Sequence, residues 1–315
     1  MNKLFLLTKP ELFQGKKYLK NIKDYFEGWY FKNSANEKTI SFIPGISISE
    51  KKKNAFIQII TNTNSYFINY DIKDFKFNNH PFSVQIKNNF FSTEKIHIDI
   101  NELNLKIKGD IKYFNHTNIK TSLLNPNIMG PFSYIPFMEC NHAILSMKNN
   151  IKGLIKINNQ KIKFKSGIGY IEKDWGCSFP KSYIWLQGNK FHNKNTSFML
   201  SMADIPFKIF QFRGIICILI INGKEYRFTT YNNTKLIKYN INNNQINIVL
   251  RKEKYTIIIK AQYDKRNKLV APVKGKMKKD ILESISSKIT VTLKKKNQTI
   301  FSAISKNCGL EIVDY

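Results

Sequence analysis

Cysteine is scarce in this sequence, and its spacing does not suggest a metal site. The four cysteines are Cys140, Cys177, Cys217 and Cys308. None of them belongs to a C-x-x-C pair or stands at a zinc-ligand spacing from a histidine. Because free thiols are the ordinary state of cysteine in a reducing cytosol, we expect a cytoplasmic protein that holds no metal.

Long apolar runs are also missing. A membrane-spanning helix needs about 18 or more consecutive apolar residues. The apolar stretch 214–222 is far shorter and has the composition of a buried strand. The run 4–7 near the start is too short for the apolar part of a signal peptide, and no small-residue cleavage site follows it. We therefore expect a soluble protein.

Several enzyme classes leave short motifs that this sequence does not contain. There is no glycine-rich phosphate loop, no G-x-S-x-G and no H-E-x-x-H. Nucleotide hydrolases, serine esterases and zinc metalloproteases are therefore excluded as simple interpretations.

Acidic residues are few compared with basic ones. The chain has 51 basic and 22 acidic residues, a net charge of +29. Such a surplus favours nucleic acid, acidic ligands or an anionic membrane as a partner. Arginine, the usual reader of guanine and phosphate, is scarce, and the lysines are scattered. We therefore expect no nucleic-acid binding, and we keep peripheral contact with an anionic membrane as an expectation beside ordinary solvated strand faces.

Alternation of apolar and polar residues dominates the chain. In 95–114 the apolar positions are 96, 98 and 100, then 103, 105 and 107, then 111 and 113. This period of two predicts consecutive strands with turns near Asn101 and Gly109. The segment 153–165 predicts a hairpin that turns at 158–160, and 245–263 and 287–305 have the same texture. Only 278–287 suggests a helix, of one or two turns.

Many short strands separated by Asn, Gly and Lys turns predict an all-β barrel or sandwich. The length of 315 residues fits two domains. We place the boundary near residue 150, because a hairpin-rich region follows Met147. The expected domains are residues 1–150 and residues 151–315.

Three segments, 25–33, 125–147 and 169–191, break the alternating pattern. The first and third contain all three tryptophans of the chain, close to acidic residues. On a strand, Glu172 and Asp174 would face the same side, and two desolvated carboxylates this close raise each other's pKa. On a solvent-exposed loop they would be ordinary surface acids. The tryptophans could equally be core residues, Glu27 could simply pair with Lys32, and His142 could be structural.

These segments resemble the tocopherol cyclase family. The matching words are YFEGWYFK at 25–32, PNIMGPFSYIPFMEC with a following histidine at 126–142, GYIEKDWG at 169–176, YIW at 183–185 and LVAPVKGKM at 269–277. These matching segments occur in order over nearly the whole chain. The resemblance implies a pair of lipocalin-like β-barrels, as in the carotenoid hydratase-like proteins of the same superfamily.

The resemblance also implies a reaction. The family's plant enzymes close a chromanol ring, in which a phenol oxygen of a prenylated quinol adds across the nearest double bond of the isoprenoid tail. This is an intramolecular isomerisation, of the intramolecular lyase type, and it needs no redox cofactor, nucleotide or metal. An apolar prenyl quinol or another isoprenoid is therefore the expected partner.

Chemistry applied to these words assigns the expected roles. Protonation of an alkene needs a carboxyl group that an apolar pocket keeps protonated. The expected proton donor is Asp174, then Glu172, then Glu139, and the phenol proton would go to His142 or Tyr170. Residues expected to contact the substrate are Trp29, Tyr30, Glu27, Trp175, Trp185, Gln187 and Asn189.

Three alternatives remain open at the sequence level. A lipocalin-like carrier would bind an apolar or isoprenoid ligand by burial alone and would need no acid. An isoprenoid hydratase would use water in place of the phenol. A protein that acts through basic faces at a membrane would bind lipid in a salt-dependent way.

Overall fold

The structure is a computed structural model that describes residues 3–20, 23–50, 52–136, 138–193, 195–207, 210–263 and 265–315. Contacts divide the chain into two compact units. The first unit contains Met1–Phe179 and Leu269–Asp280, and the second contains Pro180–Lys268 and Ile281–Tyr315. The fold is all-β, as the alternating pattern predicts, with two lipocalin-like β units.

Helical structure in the described residues is limited to short pieces. The α-helices are α1 (Lys3–Thr8) and α2 (Lys16–Lys20). Three 3₁₀ turns cover Ile72–Asp74, Gly130–Tyr134 and Thr230–Asn232. No helix among the described residues is long and apolar enough to cross a membrane.

The first unit is built on an 11-stranded sheet of antiparallel pairs. Its spatial order runs β4-β3-β2-β1-β11-β10-β9-β8-β7-β6-β5. The strands are β1 (Tyr25–Ala35), β2 (Lys38–Ser49), β3 (Lys52–Thr61), β4 (Ser65–Asp71), β5 (Phe75–Asn79), β6 (Phe82–Ile86), β7 (Asn89–Phe91), β8 (Lys95–Glu102), β9 (Leu105–Thr117), β10 (Cys140–Ile157) and β11 (Gln160–Gly176).

This sheet is barrel-like and encloses one apolar core. Ile57 of β3 and Val84 of β6 lie far apart in the strand order, yet both belong to the same buried cluster. The first 3₁₀ turn joins β4 to β5, the two edge strands of the sheet. We call the side of the sheet that faces this core the inner face, and the opposite side the outer face.

The predicted hairpin between β10 and β11 is confirmed, with Asn158 at a φ of 50° in the turn. The predicted turn at Gly109 is wrong, because β9 runs through it. Gly109 has a φ of 149°, and a side chain there would collide with the carbonyl oxygen of Leu154 on β10. The glycine therefore marks a close approach of two strands and not the end of one.

The second unit contains most of a 10-stranded sheet in the order β15-β14-β13-β12-β21-β20-β18-β17-β16, with β19 paired to β20. Its apolar core includes Ile184, Leu186 and Leu310. The strands are β12 (Tyr183–Gly188), β13 (Thr196–Phe207), β14 (Phe210–Ile221), β15 (Lys224–Thr229), β16 (Lys235–Asn242), β17 (Gln245–Lys252), β18 (Tyr255–Gln262), β19 (Asn267–Val273), β20 (Lys276–Lys295) and β21 (Gln298–Val313).

Two expectations about boundaries need correction. Residues 278–287 form part of β20 and not a helix, because this segment pairs with β21, with Glu283 opposite Glu311 and Ser284 opposite Leu310. The expected division between residues 150 and 151 falls inside β10, which pairs with β9 and β11 on either side. The division into compact units lies at Phe179 instead.

Candidate active site

Three neighbouring strands of the first unit, β1, β11 and β10, carry most of the side chains predicted to act in catalysis. Because successive residues of a strand face opposite sides, the GYIEKDWG segment divides into two sets. Ile171, Lys173 and Trp175 lie on the inner face, where Ile171 and Trp175 belong to the core. Tyr170, Glu172 and Asp174 lie on the outer face.

The outer face brings together a cluster of four polar side chains. His142 of β10 stands opposite Asp174 in the strand register, and its Nδ1 lies 2.9 Å from Asp174 Oδ1. On the other side of the ring, His142 Nε2 lies 3.6 Å from Glu172 Oε2. The Tyr170 hydroxyl donates a hydrogen bond of 2.5 Å to the same Glu172 oxygen. We call Tyr170, Glu172, Asp174 and His142 the acid cluster.

The cluster is largely shielded from water. The exposed side-chain fractions are 7% for Glu172, 13% for His142 and 22% for Asp174. Part of the shield is the proline-rich segment before β10, since the backbone N–H of His142 lies 3.2 Å from Met129 Sδ. Asn127 holds this segment in shape by accepting hydrogen bonds from the Met129 N–H and the Ser133 hydroxyl.

Burial and charge act in opposite directions on His142. Burial alone would lower its pKa, but the adjacent carboxylates of Asp174 and Glu172 raise the pKa to about 9. The pKa of the Tyr170 hydroxyl is raised well above its usual value by burial and by the negative charge of Glu172. The ring of His142 is therefore an imidazolium between two carboxylates at neutral pH, and Tyr170 keeps its proton.

The same atoms are close enough to bind a metal ion. His142, Glu172 and Asp174 each offer one ligand atom, and these atoms lie within 4.8 Å of one another. Imidazole and carboxylate donors suit several divalent cations. Binding through Nδ1 of His142 and Oε2 of Glu172 would, however, compete with the hydrogen bonds that those two atoms make within the cluster.

Aromatic side chains accompany the cluster on the outer face. Tyr30 of β1 pairs in register with Glu172, and its hydroxyl oxygen accepts a hydrogen bond of 3.1 Å from Ser41. Phe26, four residues earlier on the same strand, contacts Phe179 edge-to-face at 5.3 Å between ring centroids. Sequence reasoning selected Tyr30 but missed Phe26 and Phe179, although both stand in the segments that break the alternation.

Glu27 does not join the acid cluster. It lies on the inner face, fully buried, and forms an ion pair of 2.5 Å with the buried Lys173. Its carboxylate also accepts hydrogen bonds from the Tyr25 hydroxyl and from the backbone N–H groups of Gln14 and Gly15. Glu27 therefore anchors the N-terminal segment, and its expected role in substrate binding is corrected to a structural one.

Trp29 and Trp175 also lie on the inner face. The Lys173 ammonium sits 5.0 Å from the ring centroid of Trp29 and 4.8 Å from that of Trp175. The Trp29 indole N–H donates to the carbonyl of Glu11 at 2.9 Å. Both rings belong to the core. Trp175 therefore does not shield its chain neighbour Asp174, because adjacent strand residues point to opposite faces.

The remaining predicted residues stand apart from the cluster or in the second unit. The Glu139 side chain is exposed, while its backbone carbonyl accepts a hydrogen bond from Cys177, so it does not fit the role of a shielded acid. Trp185 and Gln187 lie on β12, and Asn189 follows this strand; all three are buried within the second unit. Their contact with a substrate remains a prediction.

Comparison with known proteins identifies the family. Residues 120–313 match the tocopherol cyclase-like family. The chain belongs to this family. The match covers most of the chain and includes every member of the acid cluster.

Individual plant enzymes match shorter parts of the chain. A probable chloroplastic tocopherol cyclase of Oryza sativa subsp. japonica is 27% identical over 110 residues, which is 33% of this chain and 23% of that protein. The chloroplastic tocopherol cyclase of Zea mays is 28% identical over 74 residues, or 24% of this chain and 16% of that protein. The matched parts thus span less than a quarter of these relatives' length.

Solved structures support the fold over almost the whole chain. CghA has a TM-score of 0.57 at 8% identity and covers 92% of this chain, with 89% of its own chain matched. Kievitone hydratase from Nectria haematococca has a TM-score of 0.51 at 11% identity, with 92% of this chain and 88% of that one matched. At these identities the likeness establishes the lipocalin-type fold of the family and nothing about the reaction.

Proposed function

We propose that this protein is an acid-catalysed cyclase that adds a hydroxyl of a prenyl quinol across the nearest double bond of the isoprenoid tail. The observation that carries this proposal is the shielded His142–Asp174 pair, with Glu172 on the other side of the imidazole. Membership of the tocopherol cyclase-like family supports the same reaction class.

Asp174 is the proton donor in this proposal. It is the most exposed acid of the cluster, so it is the carboxyl that a bound alkene reaches first. The proton that His142 shares with Asp174 through the Nδ1–Oδ1 contact passes from Asp174 to the alkene and forms a new C–H bond at the less substituted carbon, and the positive charge develops on the tertiary carbon. The phenol oxygen then attacks that carbon, which closes the ring.

His142 returns the proton. The phenol loses its proton to the Tyr170–Glu172 side of the cluster as the C–O bond forms. His142 contacts Glu172 through Nε2 and Asp174 through Nδ1, so the imidazole can take a proton at one nitrogen and release one at the other. The cluster ends the cycle with the proton count it had at the start, and the product is an isomer of the substrate.

Substrate binding on the outer face completes the proposal. Holding the oxygen near the cationic carbon can contribute about 7–11 kcal/mol in well-oriented cases, while one aromatic face contributes about 0.5–2 kcal/mol. Positioning therefore dominates, and Tyr30 and Phe26 serve first as walls.

The inner face argues against a carrier that binds its ligand inside the first unit. The core fills that face with Ile and Phe side chains, and the buried Glu27–Lys173 pair ties the N-terminal segment to it. A ligand there would have to displace packed side chains and a satisfied ion pair. The acid cluster lies on the outer face and takes no part in the packing of this core.

The test is turnover of a prenyl hydroquinone by the purified protein in D₂O. The cyclase reaction yields a chromanol that carries one deuterium on the carbon that received the proton. A hydratase, the reaction named for one structural neighbour, would yield a product heavier by one molecule of water. Recovery of bound but unchanged quinol would indicate a carrier and would overturn the proposal.

The chain supplies a matched control for the catalytic pair. His97 Nδ1 and Asp110 Oδ1 form a pair of 2.8 Å with side chains 42% and 70% exposed. We expect Asp174→Asn to lower kcat by about 10²-fold or more, the usual contribution of a positioned acid, and Asp110→Asn to leave it unchanged. Equal turnover by the folded Asp174→Asn and Glu172→Gln variants would refute the assignment.

A further inference from the structure

The outer face of the first unit carries a dense set of lysines away from the acid cluster. On four adjacent strands, β8 to β11, the inner-face residues are buried isoleucines, leucine and aromatics, while the alternate residues are exposed. We call the exposed lysines on these strands the lysine face: Lys95, Lys106, Lys108, Lys112, Lys152, Lys156, Lys161, Lys163 and Lys165.

The strand register sets these charges directly beside one another. Lys112 stands opposite Lys95 on one side and Lys152 on the other. Lys156 of β10 likewise stands opposite Lys161 of β11 on one side and opposite Lys108 of β9 on the other. Like charges in directly opposed positions destabilise a sheet, so this arrangement does not serve the fold.

Acids do not neutralise the lysine face. The two aspartates on it are Asp99, which lies 3.9 Å from the ammonium of Lys108, and Asp110, which pairs with His97 at 2.8 Å. Nine lysines against two aspartates leave an excess of seven positive charges on one sheet surface.

Exposed leucines accompany the charges. Leu154 lies in register between Asp110 and Lys163 and is 40% exposed. Leu103, in the turn between β8 and β9, is 96% exposed. Apolar side chains beside a basic surface suit a partner that is anionic outside and apolar just beneath.

We propose that the lysine face docks on the surface of an anionic lipid bilayer, with Leu103 entering the headgroup region. A nucleic acid fits less well, because the lysine face contains no arginine and no groove-reading helix. Lys165 precedes Tyr170 by five residues on β11, about 17 Å along a strand. Docking would therefore hold the acid cluster close to a membrane.

The test is co-sedimentation with phosphatidylcholine vesicles that contain or lack phosphatidylglycerol. We expect binding only to the anionic vesicles, falling as salt is raised because the attraction acts over about a Debye length. Each lysine near such a surface contributes about fivefold in partitioning. The variant with Lys112, Lys152, Lys156 and Lys161 all changed to Gln should bind on the order of 10² times more weakly or worse.

A matched control separates this surface from net charge. Lys235, Lys238, Lys260 and Lys288 are exposed in the second unit, and changing all four to Gln removes the same charge. Vesicle binding should be nearly unchanged. Equal losses in the two fourfold variants would overturn the proposal.

Two further readouts do not depend on turnover. The lysine-face variant should melt at the same temperature or higher, since it removes opposed like charges, so weaker binding cannot be blamed on unfolding. Leu103→Ser should weaken vesicle binding and leave binding to duplex DNA unchanged. Tighter binding to duplex DNA than to anionic vesicles at the same salt concentration would overturn the membrane assignment.

Discussion

Breaking the buried ion pair between Glu27 and Lys173 should strongly destabilise the first unit. Lys173 donates hydrogen bonds to the carbonyls of Pro10 and Leu12 at 2.8 and 2.7 Å and to Glu27 at 2.5 Å. Replacing it with methionine keeps most of the volume but removes the charge. Three hydrogen bonds are lost at once, and a carboxylate is left in the core.

The size of the effect follows from these contacts. Removing one partner of a buried ion pair costs about 3–5 kcal/mol, because the other charge stays buried. Glu27 keeps three neutral donors, which lowers the cost, whereas the orphaned carbonyls of Pro10 and Leu12 add about 1–3 kcal/mol each. We expect Lys173→Met to lower the free energy of unfolding by at least about 4 kcal/mol, a large part of a typical domain stability of about 5–15 kcal/mol.

The fluorescence of tryptophan makes the measurement specific to the first unit. Trp29 and Trp175 both flank Lys173, and Trp185 belongs to the second unit. In a Trp185→Phe background, urea unfolding followed by tryptophan emission therefore reports on the first unit. Limited proteolysis should at the same time cut the N-terminal segment faster in the Lys173→Met variant, since that segment loses its anchor.

Two controls decide whether the ion pair is responsible. Lys38→Met changes an exposed lysine in the same unit and should shift stability by less than about 0.5 kcal/mol. The double variant Glu27→Gln with Lys173→Met should cost less than the sum of the single changes by about 2 kcal/mol, because no charge remains unpaired. A loss below about 1 kcal/mol for Lys173→Met would refute the reasoning.

Three further predictions address other contacts. Because the pKa of His142 rises from a usual value of about 6.5 to about 9 in the folded protein, its charge stabilises the fold by about 3 kcal/mol below pH ~6.5, and this is lost as the pH rises through about 9. Urea unfolding of His142→Gln should therefore differ most from the parent near pH ~6 and converge with it near pH ~10. Gly153→Ala should cost about 2 kcal/mol or more by denaturant titration, since φ is 154° and a methyl group would overlap the Asp110 carbonyl. Tyr183→Phe should cost about 1–2 kcal/mol in the second unit, because it removes the hydrogen bond to Glu311.

Much of the fold could be predicted because strand periodicity is local. The strands at 245–263 and the hairpin at 158–160 follow from alternation and turn residues alone. The failures share one physical cause, which is that partners distant in sequence decide the outcome. Gly109 looks like a turn residue until β10 lies against it, and 278–287 looks helical until it pairs with β21.

The candidate site could be predicted in part for the same reason. Period two already places Tyr170, Glu172 and Asp174 on one face once the segment is taken as a strand. The partner strand that brings His142 to Asp174 lies 32 residues away, and only the structure supplies that register. Proximity in sequence does not mean proximity in the fold for Trp175, which follows Asp174 in the chain but lies on the opposite side of the sheet.

The last part of β11 carries two different sets of side chains on its two faces. Ile171, Lys173 and Trp175 face the core and, through Lys173, hold the N-terminal segment, while Tyr170, Glu172 and Asp174 face the opposite side in the acid cluster. Substitutions in the two sets should therefore have different effects, on stability at the inner face and, in the proposed reaction, on proton transfer at the outer face. The two sets predict separable phenotypes: Lys173→Met should weaken folding while the folded fraction keeps its turnover, and Asp174→Asn should abolish turnover in a protein that unfolds near the parent's urea concentration. A variant series in which the two losses always moved together would mean that the faces are not independent, and the division of labour along this strand would have to be given up.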